Sequence, residues 1–158
     1  MLSKKQEQIF SVCNGVTAPI SEIPDDAFAL GLLGKGYAIY PDDGIIVSPV
    51  NGKIENIAKT KHAYSILTGS GLDILVHIGV DTVELNGEGF ESCVCEGQSV
   101  KVGDTLAKID IEKIHAGGYN SVTAVIVTNH EAIENIAYKF GNARAGKDAV
   151  MYYTIRKR

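Results

Sequence analysis

Short runs in which hydrophobic and polar residues alternate, broken by glycine- and aspartate-rich turns, recur along the whole chain. Alternation of period two sends successive side chains to opposite faces of a β-strand. It marks Gly15–Ile20, Gly36–Tyr40, Gly44–Ser48, Gly52–Ile57, Ala63–Thr68, Asp73–Ile78, Phe90–Val94, Thr105–Ile109, Ser121–Val127 and Val150–Ile155 as strands. Turn signals separate them, among them Pro41-Asp-Asp-Gly44, Asn51-Gly52, Gly69-Ser-Gly71, Asn86-Gly87 and Gly103-Asp104. These residues reach positive φ or cap their own backbone. Many short strands about ten residues apart predict an all-β domain, a compact antiparallel β-sandwich or barrel with a few short helical turns. Asp25–Leu30 has the acidic start of a short helix. Asp110 to Ala116 has an aspartate N-cap and stops before Gly117-Gly118. Asn129–Tyr138 reads as a short helix or an irregular connection. A single domain is expected over residues 1–158, with residues 1–10 as a loosely ordered N-terminal segment.

One strand carries more than fold information. In Gly71-Leu-Asp-Ile-Leu-Val-His77-Ile-Gly-Val-Asp-Thr-Val83, parity puts Leu72, Ile74, Val76, Ile78 and Val80 on one face. Asp73, Leu75, His77, Gly79 and Asp81 fall on the other. An imidazole flanked by a bare glycine and a carboxylate is thereby presented away from the apolar row. Upstream, Thr60-Lys-His-Ala-Tyr-Ser-Ile-Leu67 reads as another strand, with Thr60 and His62 projecting to one side. A threonine hydroxyl there can fix the tautomer of His62.

Composition narrows the class. The chain has 158 residues, 45% of them hydrophobic and 22% charged, enough for one domain with a substantial core. A formal net charge of −4 and no basic stripe with interleaved aromatics argue against nucleic acid as a partner. No signal-peptide core and no apolar run of membrane-spanning length is visible, so a cytoplasmic protein is expected. The three cysteines include Cys93-Val-Cys95, a spacing that zinc ribbons and redox motifs do not use. They read as reduced thiols of a cytoplasmic protein.

Two neighbouring histidines allow three chemistries. A neutral imidazole can attack phosphorus while a second one donates to the phosphoryl oxygens. Two imidazoles can ligate zinc if a third ligand joins them. One can act as general acid or base toward a small substrate. The metal route is the weaker, since neither His-x-His nor His-Glu-x-x-His occurs. His115 and His130, in polar contexts, read as structural.

Gly71 through Val83 closely resembles the active-site signature of the glucose-type IIA domains of the bacterial phosphoenolpyruvate-dependent sugar phosphotransferase system. The similarity continues through Asp81-Thr-Val-Glu-Leu-Asn-Gly-Glu-Gly-Phe90 and Glu96-Gly-Gln-Ser-Val-Lys-Val-Gly-Asp104. Upstream it includes Ile46-Val-Ser-Pro-Val-Asn-Gly-Lys-Ile54 and Thr60-Lys-His-Ala-Tyr-Ser-Ile66. Several blocks in order make it more specific than one motif. The resemblance implies a phosphocarrier without a cofactor. His77 would accept a phosphoryl group from the carrier HPr and pass it to a cysteine of a IIB domain. His62 would stabilise the group, Thr60 would orient His62, and the carbonyl of Gly79 would hold the other nitrogen of His77. Asp25 and Asp81 match carboxylates that meet a basic residue of HPr, and Phe28, Leu32 and Leu75 would form an apolar ring where partners dock. The resemblance also implies regulated target proteins in some members, with His62 and His77 as zinc ligands in one such complex. The family includes free-standing domains and parts of larger sugar permeases.

Three rivals come from other classes, of which a zinc peptidase of related β architecture is disfavoured by the missing His-x-His. A biotinyl- or lipoyl-type carrier shares the Val50-Asn-Gly-Lys-Ile54 and Gly97-Gln-Ser-Val-Lys-Val-Gly-Asp-Thr-Leu106 strings but needs a modified lysine in Met-Lys-Met or Asp-Lys-Ala, absent here. A regulatory binding module of the same fold would keep the apolar face and have no need of a nucleophilic His77.

Overall fold

The structure, a computed structural model, describes residues 6–156. It is built almost wholly from antiparallel strands: β1 (Gln6–Phe10), β2 (Gly15–Pro19), β3 (Lys35–Pro41), β4 (Ile45–Val47), β5 (Gly52–Ile57), β6 (Ala63–Thr68) and β7 (Asp73–Val80) come first. Then follow β8 (Phe90–Ser92), β9 (Ser99–Val100), β10 (Thr105–Ile109), β11 (Asn120–Val127), β12 (Ile133–Tyr138), β13 (Gly141–Ala143) and β14 (Ala149–Ile155). Two short helices interrupt them, α1 (Asp26–Ala29) and α2 (Ile111–Ala116). Asp110 caps α2 with its side chain, as its position in the sequence leads one to expect, and Asp25, expected as the first residue of the helix, instead precedes α1 and caps it.

An eight-stranded sheet runs in the order β13-β2-β3-β11-β7-β6-β5-β9, and two three-stranded sheets, β4-β10-β8 and β1-β14-β12, accompany it. The main core gathers Tyr37, Ile39, Tyr64, Ile66, Ile74, Val76 and Ile78 from the large sheet. Ile46 and Leu106 join it from one small sheet, Ile9, Met151 and Tyr153 from the other. Each fully buried aliphatic side chain contributes about 1.5–3 kcal/mol relative to exposure. β11 is buried along nearly its whole length, because the opposite face of the large sheet is covered too. There Ala38, Val80, Val122, Ala124 and Ile126 form a second, smaller cluster with Ile23 and Phe28 from the segment around α1. His77 lies beside this second cluster, its ring against that of Phe28.

Four departures from the sequence expectation have physical causes. Val80 does not continue the main-core row with Ile78 but packs in the second cluster. Gly79 adopts φ +81, which breaks the alternation between them. Residues 129–138 are not a helix: a 3₁₀ turn, His130–Ala132, leads into β12, which pairs with β14. A register shift between Glu134 and Ala137, with Asn135 at φ 55, puts Ile133 and Ile136 at a spacing that imitates a helix. Residues 6–10, expected to be loosely ordered, form β1 on β14, while residues 1–5 lie outside the described residues. β8 ends at Ser92, so Cys93 and Cys95 follow the strand, both exposed on either side of buried Val94; Cys13 is buried.

Candidate functional site

His77 sits in the middle of the large sheet, opposite Ala124 of β11 and Ala63 of β6. The ring of His62 approaches it edge-on, with ring centroids 5.0 Å apart and planes at 86°. The approach is built by the backbone. The amide of Ile78 donates to the carbonyl of His62 at 2.7 Å, which ties the residue before β6 to the residue after His77. Thr60, Lys61 and His62 are not part of a strand. They form a tight turn with Lys61 at φ 62, closed by the Ala58 amide donating to the Ala63 carbonyl at 3.0 Å. The turn still brings Thr60 Oγ1 within 2.5 Å of His62 Nδ1. The expected pairing is present, produced by turn geometry and not by strand parity.

Beyond His77 the backbone turns sharply. Its Nδ1 lies 3.0 Å from the carbonyl oxygen of Gly79. A carbonyl can only accept, so Nδ1 carries the proton and the neutral ring keeps its lone pair on Nε2. A side chain at position 79 has no room: a Cβ would stand 2.3 Å from Thr82 Cγ2 and 2.9 Å from the Asn120 carbonyl oxygen. Buried Thr82 donates its hydroxyl to the carbonyl of Ile78. Asp81, exposed, takes the left-handed conformation at φ 58 between them.

Burial holds both imidazoles neutral. His62 is pushed down from the ordinary 6.5 to about 4, first by desolvation and then by repulsion from His77. His77 is also lowered by desolvation, opposed by the Gly79 carbonyl and the carboxylates of Asp25 and Asp81. A neutral, tautomerically fixed imidazole beside a second neutral imidazole offers a nucleophilic nitrogen with an adjacent polar ring.

The expected docking residues divide. Phe28 is not an exposed contact: it is 5% exposed and packs its ring against His77, centroid to centroid 4.9 Å. Leu75 is half-buried beside the second cluster, and Leu32 is 72% exposed. Leu30, Leu33 and Val83 are exposed large apolar side chains that the sequence reading did not single out. Asp25 is half-buried, its side chain accepting from the Ala27 amide at 3.0 Å. His115 lies at the end of α2 with Nε2 3.0 Å from Ser121 Oγ, and His130 is in the 3₁₀ turn before β12. Among the described residues no three His, Cys, Asp or Glu side chains are grouped to hold a metal ion. A polar cleft of about 410 Å³, lined by Glu7, Asn51, Thr68, Ser70 and Tyr153 among others, is not lined by either histidine of the pair.

An antiparallel β-sandwich that brings a mid-sheet imidazole against a second one on the adjoining turn defines the class: an all-β domain with a paired-histidine site. A family model described as phosphoenolpyruvate-dependent sugar phosphotransferase system, EIIA 1, matches residues 7–133. The chain is 41% identical over 152 residues to the glucose-specific EIIA component of Bacillus anthracis, covering 96% of this chain and 92% of that protein. It is 47% identical over 124 residues to the beta-glucoside-specific EIIBCA component of Bacillus subtilis, covering 78% of this chain and 20% of that protein. Glucose permease IIA from Mycoplasma capricolum superposes with a TM-score of 0.88 at 35% identity, over 94% of this chain and 96% of that one. The chain belongs to the glucose-type EIIA family of the phosphoenolpyruvate-dependent sugar phosphotransferase system. It is a phosphotransferase component, a phosphocarrier domain in sugar uptake, and the rival readings are not favoured.

Proposed function

We propose that His77 carries the phosphoryl group, and that the donor is HPr and the acceptor a cysteine of a IIB domain. The observation that carries this reading is the 3.0 Å contact of His77 Nδ1 with the Gly79 carbonyl beside the ring of His62. The Nε2 lone pair of His77 forms a bond to phosphorus as the phosphorus–nitrogen bond of phospho-HPr breaks, its electron pair returning to the HPr imidazole. In the next step the IIB thiolate attacks the same phosphorus, and the electron pair of the breaking bond returns to His77 Nε2. Most of the catalysis is positioning and charge stabilisation. Thr60 bonds one nitrogen of His62, which aims the other toward the phosphoryl oxygens. The carboxylates of Asp25 and Asp81 stand close enough to act on His77. They meet a basic residue of HPr, and Leu32 and Leu75 serve the docking surface with Phe28 as the buried wall behind it.

A sugar permease is the partner on the acceptor side. Its support is that sequence similar to this chain forms about a fifth of the EIIBCA component of Bacillus subtilis, and likewise of a Streptococcus pneumoniae glucose-specific EIICBA component. Among the described residues no helix is long and apolar enough to cross a membrane.

Incubation with phosphoenolpyruvate, enzyme I and HPr tests the assignment. One acid-labile phosphoryl group per chain is expected, and His77→Ala abolishes it. Full labelling of that variant would overturn the role of His77.

A further inference from the structure

Gly79 sets the orientation of His77, yet a glycine alone cannot hold an orientation. It populates positive and negative φ about equally, so something else must keep it at +81. The neighbouring strand pairs only with the residues on either side: the β11–β7 register shifts between Asn120 and Thr123, which gives Ile78 and Val80 a Cα partner and leaves Gly79 without one. The side chain against it is Thr82. Thr82 is fully buried, and its hydroxyl donates to the carbonyl of Ile78, the first atom group of the Ile78–Gly79 peptide. Its methyl stands 2.3 Å, and its oxygen 3.0 Å, from the point where a Cβ on Gly79 would be. The left-handed turn at Asp81 folds Thr82 back into this place. Ile78 is thus held from both sides, its amide on the His62 carbonyl and its own carbonyl on Thr82.

We propose that Thr82 is a positioning residue: its hydroxyl, bonded to the Ile78 carbonyl, locks the Ile78–Gly79 backbone in the rotation that keeps the Gly79 carbonyl on His77 Nδ1, and so selects the nitrogen left free to react. Release of that lock lets Gly79 rotate, the carbonyl leaves Nδ1, and the neutral ring is free to place its proton on Nε2. Nitrogen that bears a proton has no lone pair with which to attack phosphorus. The functional consequence rests on the reading of His77 as the nucleophile; the tautomer itself is a property of the unphosphorylated protein.

The two halves of the side chain are separable. Thr82→Val keeps the shape and removes the hydroxyl; Thr82→Ser keeps the hydroxyl and removes the methyl. Long-range ¹⁵N histidine spectra of the unphosphorylated protein, taken above the imidazole titration, read the tautomer directly. Wild type is expected to show His77 with a protonated Nδ1 and a bare Nε2. Thr82→Val is expected to show a population protonated on Nε2, and to accept phosphate from HPr about two- to tenfold more slowly, the range of one lost hydrogen bond. Thr82→Ser is expected to restore the single tautomer and most of the rate.

A purely structural turn cap would lower stability in Thr82→Val without moving the tautomer. A folded Thr82→Val with the wild-type spectrum overturns the proposal, as does a Thr82→Ser variant that behaves like the valine. If the valine variant fails to fold, Thr82→Ala is read in the same way, and a wild-type tautomer there overturns it equally. Should His77→Ala still label fully while Thr82→Val shifts the spectrum, the nucleophile assignment falls and the role of Thr82 stands.

Discussion

The Nδ1 atom of His77 sits 3.0 Å from the carbonyl oxygen of Gly79, two residues further along the same strand. In a regular strand carbonyls lie in the plane of the ladder and side chains stand off it. The contact therefore exists only because the backbone leaves strand geometry at Gly79, where φ is +81. One backbone irregularity does two things. It ends the alternation of β7, and it supplies the acceptor that holds a proton on the inner nitrogen of the imidazole.

Both rings of the pair should titrate below the ordinary imidazole value of 6.5, with His62 near 4 and His77 lowered chiefly by burial. Below that ordinary value the unfolded chain binds more protons than the folded one. Stability is therefore complete above about pH 6.5 and falls as pH drops toward 4. Two-dimensional NMR titration gives the two midpoints, and thermal unfolding across the same window should show a declining midpoint that His62→Gln partly flattens. A midpoint for His62 at or above the ordinary value contradicts the assignment.

Gly79→Ala should be destabilising twice over. The left-handed φ costs a non-glycine residue about 1–3 kcal/mol, and the new Cβ meets Thr82 Cγ2 at 2.3 Å and the Asn120 carbonyl oxygen at 2.9 Å. Urea unfolding measures the loss. Phosphoryl acceptance should fall as well, because any relaxation that relieves these contacts moves the carbonyl away from His77. A variant as stable and as quickly phosphorylated as wild type would show that the tight turn is not required.

Phe28→Ala links packing to titration. Phe28 is 5% exposed and its ring lies 4.9 Å from that of His77, centroid to centroid. Truncating a buried phenylalanine costs about 3–5 kcal/mol. It also lets water reach His77, whose lowered pKa has desolvation as its largest cause. The His77 midpoint should rise toward the ordinary value while that of His62 moves less. An unchanged His77 midpoint in a folded variant would assign the shift to something other than this wall.

The strand that carries His77 was legible because alternation is local: Ile74, Val76 and Ile78 are buried as parity requires, with His77 on the other face. Its end was not. The sign of φ at a glycine leaves no mark on its neighbours, so parity alone places Val80 with the main core and not in the second cluster, where it packs. Thr60 and His62 meet without the strand that their spacing suggests, since spacing by two is satisfied by a strand and by the turn around Lys61 alike. The bulge at Asn135 converted the period of β12 into a helical one. β1, with Gln6, Glu7 and Gln8, has too little apolar patterning to announce an edge strand. The burial of Phe28 against His77 depends on how α1 folds over the sheet, a long-range fact that no local pattern encodes.

Thr60→Val separates the two halves of the transfer cycle. Valine preserves the shape of the turn but removes the oxygen that lies 2.5 Å from His62 Nδ1. His62 is 8% exposed, so its nitrogen loses a partner that water replaces poorly. A buried polar group left unpaired costs about 1–3 kcal/mol. The ring is then free to turn or change tautomer, while His77 keeps its own contact with Gly79. Acceptance of the phosphoryl group at His77 should change little, and onward transfer to the IIB thiolate should slow about tenfold, the equivalent of one such hydrogen bond. Rapid-quench single-turnover kinetics resolve the two steps. Equal slowing of both would mean that Thr60 supports the whole site, and that orienting His62 is not its particular role.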